Sequence, residues 1–109
     1  MNKAIIIGRL TKAPEQKTTQ NGIAITTFTV AVSRRGEREE ADFLNVVTWR
    51  ALAENCAKYL ERGQQVAVTG EIRTRSYEAK DGNKRYVTEI IANEVEFLAK
   101  SEQKQGNFD

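Results

Sequence analysis

The sequence predicts an all-β protein, a five-stranded barrel with one α-helix between its third and fourth strands. Apolar and β-branched residues alternate in several short segments, a pattern typical of half-buried strands. Asn21-Gly22 and Asp81-Gly82 are strong two-residue turn signals between such segments. Helical spacing of apolar residues occurs in one segment, residues 51–62. A chain of 109 residues fits one domain with a modest core.

Five strands are predicted, at residues 2–11, 23–33, 42–50, 64–77 and 84–98. Gly8 lies inside the first strand, where a glycine indicates a bulge or a bend. Pro14 interrupts the pattern after it, because proline cannot donate to a central ladder. The connection at residues 34–40 is rich in charges that nearly cancel, with Gly36 at its turn. It is either a solvated hairpin loop or a place where Arg34 and Arg35 touch a ligand.

The predicted helix carries Leu52, Cys56 and Leu60 at positions i, i+4 and i+8, so these residues form one apolar stripe. Gly63 follows where a glycine commonly ends a helix. Cys56 on this stripe is predicted to be a core residue and not a reactive thiol. Residues 1–99 are predicted to form the domain, and residues 100–109 a flexible polar tail.

The third predicted strand, DFLNVVTWR, is the segment on which the functional prediction depends most. Its side chains alternate between two faces, so Phe43, Val47 and Trp49 share one face. Leu44 and Val46 lie on the other face and are predicted to point into the barrel. The less covered face therefore carries two aromatic rings, roughly 20 Å apart along the strand. Two other phenylalanines, Phe28 and Phe97, are predicted to be core residues.

Composition limits the classes of function. The chain has no histidine and one cysteine, which excludes Ser-His and Cys-His catalytic pairs, internal disulfides and multi-cysteine zinc sites. No apolar run approaches the ~18–20 residues of a membrane span, and the N-terminus lacks a signal-peptide core, so a soluble cytoplasmic protein is expected. A metal-dependent nuclease using Asp42, Glu71 or Glu89 is disfavoured, because these acids are scattered over different segments.

Aromatic and basic residues are interleaved in a way that favours binding of single-stranded nucleic acid. Exposed bases stack on aromatic rings, and phosphates bind lysine and arginine. Trp49 and Phe43 on the third strand, and Tyr77 with Arg73 and Arg75 on the fourth, meet this description. Further basic residues near the hairpin and the N-terminus extend it: Lys80, Lys84, Arg85, Lys3, Arg9, Lys12 and Lys17.

Each of these assignments has a structural alternative. Aromatic side chains in strands are more often core residues than ligand platforms, and pattern alone does not decide between them for Trp49 and Phe43. Arg73 and Arg75 can instead pair with Glu71 or Glu89 across the sheet. Net charge, at +2, is too small to imply nucleic acid by itself.

Five strands with a helix between the third and fourth is the arrangement of the oligonucleotide-binding (OB) fold. The segments NKAIIIGRL and FLNVVTWRALAENCAKYLERG, and the motif GEIRTR at residues 70–75, resemble the bacterial single-stranded DNA-binding protein (SSB) family. The resemblance covers residues 2–98. It implies an OB-fold barrel, a homo-oligomer (usually a tetramer) and coating of single-stranded DNA in replication, repair and recombination. No catalysis, cofactor or metal is implied.

The resemblance also assigns stacking positions. They fall on Phe43, Trp49 and Tyr77, of which the first and third are tryptophans in some members, so this chain has smaller rings there. A tryptophan that such members carry in the loop before the central strand is matched here by residues 34–36. Arg34 or Arg35 is expected to substitute for it in part, because guanidinium groups stack and also bind phosphate. A histidine of some members is Leu44 here.

The tail departs from the family pattern. Full-length members generally end in an acidic tip with a terminal Pro-Phe that recruits other genome-maintenance proteins. This sequence ends in Asn107-Phe108-Asp109, so recruitment of such proteins is not expected. The sequence is expected to be either cut within the linker or a short natural paralogue, some of which serve natural transformation. An accessory, primosome-type interaction subunit on the same fold is the alternative function.

Overall fold

A computed structural model describes residues 1–35 and 37–99 of the chain, with the backbone alone for residues 37–39. These residues form six strands and one helix. Their bounds are β1 Ala4–Leu10, β2 Glu15–Thr18, β3 Ala24–Arg34, β4 Glu37–Trp49, α1 Arg50–Tyr59, β5 Gln65–Glu78 and β6 Lys84–Phe97. The predicted tail at residues 100–109, and Gly36, lie outside the described residues.

The strands close into a barrel. Their order in the sheet is β1-β5-β6-β4-β3-β2, and β1 also pairs with β3, which closes the ring. Neighbouring strands are antiparallel, except that β4 pairs with β6 in parallel, joined through α1 and β5. The five predicted strands are β1, β3, β4, β5 and β6. The prediction of a five-stranded OB-fold barrel with one helix between its third and fourth strands is confirmed.

The core lies inside this barrel and under α1. It contains the inward-facing residues of every barrel strand, namely Leu10, Phe28, Val30, Val46, Val66, Val68, Ile90 and Ala92, together with Cys56 and Leu60. Burial of Phe28 and Cys56 is as predicted. The prediction for Phe97 is wrong, because this residue ends β6 at the rim of the barrel and keeps 38% of its surface exposed.

β2 is a strand that the sequence did not predict. It follows Pro14, pairs antiparallel with β3 from Glu15 opposite Thr27 to Thr18 opposite Ala24, and forms the edge of the sheet. All four of its residues, EQKT, are exposed and polar. A strand without a buried face has no apolar alternation, so its pairing is determined by the neighbouring backbone of β3 and leaves no periodic signal.

The boundaries around the central strand also differ from the prediction. β4 begins at Glu37 and not at Asp42, because its backbone continues to pair with β3 into the charged connection. α1 is shorter than the predicted 51–62 and ends at Tyr59. Leu60 is extended, which buries its side chain, while its N–H still donates to the Cys56 carbonyl. Gly63 lies in the turn that follows, where its φ of 84° requires glycine.

The predicted bulge is on a different strand. Gly8 pairs in regular register with Val66, and the β5–β6 register shifts between Thr69 and Gly70 instead. Both glycines permit a close approach of backbones. A Cβ at Gly8 would overlap the carbonyl oxygen of Ala31, and one at Gly70 would overlap that of Ile91. Gly8 therefore permits the β1–β3 contact that closes the barrel, and Gly70 permits the β5–β6 bulge.

Candidate nucleic-acid interface

The two faces of β4 separate as the alternation predicts. Val46 and Thr48 are fully buried inside the barrel, and Leu44 is partly buried against the core. Phe43 and Trp49 point outward. Antiparallel pairing places Trp49 opposite Ile25 on β3, and Ile25 opposite Lys17 on β2. One row of outward side chains therefore runs from the edge strand to the tryptophan, because paired residues lie on the same face of a sheet.

The outward face forms a groove across five strands, β2 to β6. One cavity of about 290 Å³ is lined by residues from Lys12 on one side to Val87 on the other. A second cavity of about 420 Å³ is lined by Trp49 and Arg73. The two cavities share lining residues and are therefore continuous. The shared residues are Lys17, Thr27, Val47, Arg75 and Glu89.

The groove brings together several of the residues that the sequence predicts for the site. Trp49, Arg73, Arg75 and Lys12 all line it, although they come from three different segments of the chain. Trp49 keeps 41% of its surface exposed, so the indole is held by packing and still presents a surface to the groove. This combination of a fixed ring and nearby cations is what a stacking platform requires.

Lys17 is a groove residue whose position the sequence did not reveal. The sequence identified it only as one of several basic residues near the N-terminus. β2 brings it into both cavities, in the row that contains Trp49. The available signal was its position two residues after Glu15, an alternation too short to identify a strand. Polar side chains of Thr27, Thr29 and Asn45 line the groove between these charges.

Both predicted groove arginines are ion-paired, as the structural alternative proposes. Arg73 contacts Glu71 at 3.0 Å, and Arg75 contacts Glu89 at 3.1 Å. Arg75 donates from both Nε and Nη2 to the Glu89 carboxylate, and this hydrogen bonding raises the pKa of its guanidinium. The side chains of Arg73 and Arg75 remain more than half exposed. Each arginine is therefore held by a carboxylate on one side and open to the groove on the other.

Phe43 lies apart from Trp49. Its side chain is 64% exposed, and it pairs with Ala31 near the β3–β4 hairpin. It lines neither cavity of the groove, so it extends the outward face along β4 and does not complete the pocket around Trp49. Arg34 is close to it in the fold, held by an ion pair to Asp42 at 2.9 Å. Arg35 is exposed at the turn beyond.

Tyr77 is carried on an arm that projects from the barrel. From Ile72 to Glu78 every residue of β5 is exposed, which distinguishes this part of the strand from the buried alternation before it. Tyr77 is 50% exposed and lies opposite Arg85, which is paired to Asp81. The register places Lys84 opposite Glu78 on the other face of the arm. Lys84 therefore does not share a face with the ring of Tyr77.

Arg9 has a structural contact. Its Nη1 donates to the carbonyl of Gly63 at 2.9 Å, which ties the end of β1 to the turn after α1. It is partly buried on the outward face of β1, and its backbone pairs with Ala31, the residue opposite Phe43. Arg9 lies outside the groove that contains Trp49.

Cys56 and the three acidic residues considered for a nuclease are either buried or ion-paired. Burial raises the pKa of Cys56 to about 11, partly offset by a hydrogen bond with Thr48. Asp42, Glu71 and Glu89 each pair with an arginine. Among the described residues, no three side chains of metal-binding type lie together. The helix formed by the described residues is too short and too polar to cross a membrane.

Comparisons with known proteins agree with this architecture. The model of the single-strand binding protein family matches residues 1–98. A single-stranded DNA-binding protein of Clostridium tetani is 53% identical, over 90% of this chain and 70% of its own length. One from Bacillus cereus is 52% identical, over 90% of this chain and 60% of its own length. Single-stranded DNA-binding protein 1 of Staphylococcus aureus is 47% identical, over 90% of this chain and 65% of its own length. The chain belongs to the single-strand binding protein family.

Proposed function

We propose that this protein binds single-stranded DNA without sequence preference and protects it during replication, repair and recombination. The observation that carries the proposal is the groove on the outward face of β4. There one tryptophan lies among Lys12, Lys17, Arg73 and Arg75, with room for bases between them. The proposed function is binding alone, with no bond made or broken, in the cytoplasm.

The two components of the groove match the two chemical parts of a single strand. A base stacks on the exposed surface of Trp49, an interaction worth ~1–3 kcal/mol per base that every base provides. The cations bind phosphates and release counterions, so affinity falls as the salt concentration rises. In a duplex the bases are already stacked on one another, so Trp49 offers a duplex no comparable contact. Discrimination between single strands and duplexes follows from this difference.

Phe43 and Tyr77 provide outer platforms in this proposal. Both rings are at least half exposed, one along β4 and the other on the projecting arm. A strand that continues along β4 meets Phe43, and one that continues along the arm meets Tyr77, so affinity is expected to rise with oligonucleotide length. Arg34 and Arg35 at the β3–β4 turn lie beyond Phe43 and offer phosphate contacts there.

We also propose that the protein acts as a homo-oligomer, with four subunits by its resemblance to other members. The support is an open sheet edge. β1 pairs with β3 only at Arg9 and Leu10, so from Ala4 to Gly8 its outer edge has no strand partner among the described residues. Ile5 and Ile7 are exposed on the same segment. An exposed apolar edge strand is a template for pairing with another chain.

The experiment is a binding comparison with fluorescently labelled 30-nucleotide ligands, followed by anisotropy at 0.05 to 0.5 M salt. We expect tight binding of oligo-dT and of a mixed single strand, and much weaker binding of the matched duplex. Equal affinity for the duplex would refute the proposal, because the stacking platform would then have no role. Oligo-U in the same series compares RNA with DNA. Sedimentation with and without oligo-dT gives the number of subunits.

A further inference from the structure

Arg50, where β4 becomes α1, has an unusual backbone. Its φ is 58°, the one positive value at a non-glycine residue among residues 1–35 and 37–99. In this region the Cβ of an L-amino acid crowds the following carbonyl oxygen, which glycine avoids. Residues held in such conformations cluster at functional sites. A charged side chain at this position therefore suggests a role beyond making the turn.

The turn places Arg50 at the end of the groove. Trp49 is the last residue of β4, and its row on the outward face ends with Ile25 and Lys17. Immediately beyond this row lies a separate cleft of about 230 Å³, between the start of α1 and the β2–β3 turn at Gly22. Arg50 lines this cleft and is exposed. A strand that leaves the groove past Trp49 in this direction passes over Arg50.

The charge of Arg50 is available for a ligand. Arg73 and Arg75 in the groove are held by Glu71 and Glu89. For Arg50, the described part of the chain provides no carboxylate within ion-pair distance. Glu54 lines the same cleft without pairing with it. An unpaired, exposed guanidinium binds a phosphate without first giving up a partner, and binds it with two parallel hydrogen bonds.

We propose that Arg50 holds the phosphate next to the base stacked on Trp49 and leads the strand out of the groove over the β2–β3 turn. This inference rests on the proposed single-stranded DNA binding. It adds a cation that the sequence pattern did not assign to the site. The left-handed backbone then has a function, because it turns the residue after Trp49 toward the exit of the groove while the indole remains facing the bases.

The test is Arg50→Gly, measured by anisotropy with labelled oligo-dT over a series of salt concentrations. Glycine adopts the positive φ readily, so the variant is expected to melt at the same temperature or higher. Loss of one phosphate contact lowers the slope of log affinity against log salt by about 0.7. This decrease in slope corresponds to roughly an eightfold loss of affinity at 0.05 M salt. Arg50→Lys should retain the slope of the unaltered protein. Asparagine also tolerates this backbone conformation, so Arg50→Asn should lower the slope as Arg50→Gly does.

The control is Arg62→Ala, which removes the same charge from an exposed residue outside the groove and the cleft. If Arg50→Gly and Arg50→Asn leave slope and affinity equal to those of the control, the role of Arg50 is refuted and single-stranded DNA binding stands. Failure of the unaltered protein to bind oligo-dT would instead overturn the proposed function, and the role of Arg50 with it.

Discussion

If Arg75 binds phosphate as proposed, Glu89 should compete with that phosphate, and its removal should strengthen DNA binding. The carboxylate accepts two hydrogen bonds from Arg75 and lines both cavities of the groove. A phosphate that reaches the open side of Arg75 would share the guanidinium with this carboxylate and lie near its negative charge. Glu89→Gln keeps the shape of the side chain and removes the charge. We therefore expect tighter binding of single-stranded DNA by this variant.

The magnitude follows from the exposure of the pair. The side chain of Arg75 is 58% exposed and that of Glu89 only 12%. The pair is therefore stronger than a fully solvated one, although water around the arginine still screens the attraction. Exposed pairs contribute ~0.2–1 kcal/mol, and the upper end of that range applies here. A gain of about 1 kcal/mol corresponds to roughly fivefold tighter binding. The salt slope should also become steeper, by up to about 0.7, as Arg75 becomes free to neutralise a phosphate.

The assay is anisotropy of labelled oligo-dT at several salt concentrations, with thermal melts to confirm folding. Glu96→Gln is the matched control, because it removes the same charge from the same strand outside the groove. A second substitution, Arg75→Ala, should abolish the gain in the Glu89→Gln background. The reasoning fails if Glu89→Gln binds no more tightly than Glu96→Gln, or if the gain survives the loss of Arg75.

Three further substitutions test the stacking platform, the barrel and the buried thiol. Trp49→Ala should weaken oligo-dT binding by ~1–3 kcal/mol, and unchanged affinity in a folded variant would contradict stacking. Gly70→Ala should lower the free energy of unfolding by ~1–3 kcal/mol in denaturant melts, because its Cβ meets the Ile91 carbonyl; a neutral effect would refute that contact. The raised pKa of Cys56 predicts that stability falls between pH about 9 and about 11, since the unfolded thiol ionises first. Melts of Cys56→Ala across that range should lack this component.

The barrel could be predicted from the sequence where each strand has one buried face. In β4 the alternation of Val46 and Thr48 with Phe43 and Trp49 records directly which side chains face the core. For the same reason β2 could not be predicted, because a strand that is exposed on both faces has no alternation of apolar and polar residues. The end of α1 at Tyr59 was also beyond prediction, because burial of Leu60 in the core overrides its local helical preference.

The candidate site was predictable in its residue types and less so in its arrangement. Trp49, Arg73 and Arg75 meet in one groove as expected, because adjacent strands bring their outward faces together. Arg73 pairs with Glu71 two positions earlier on its own strand, whereas the pair of Arg75 with Glu89 depends on cross-strand register, which the sequence leaves open between several carboxylates. The conformation of Arg50 depends on the junction of β4 with α1, and no periodicity signals it.

The most direct test of the central claim is the fluorescence of Trp49, the single tryptophan of the chain, during titration with oligo-dT at low salt. Stacking of a base on the indole quenches its emission, so the signal reports on this one position in the groove. We expect strong quenching that saturates at near-stoichiometric concentrations and reverses when salt is added. Binding detected by anisotropy without any change in Trp49 emission would contradict a groove organised around this residue.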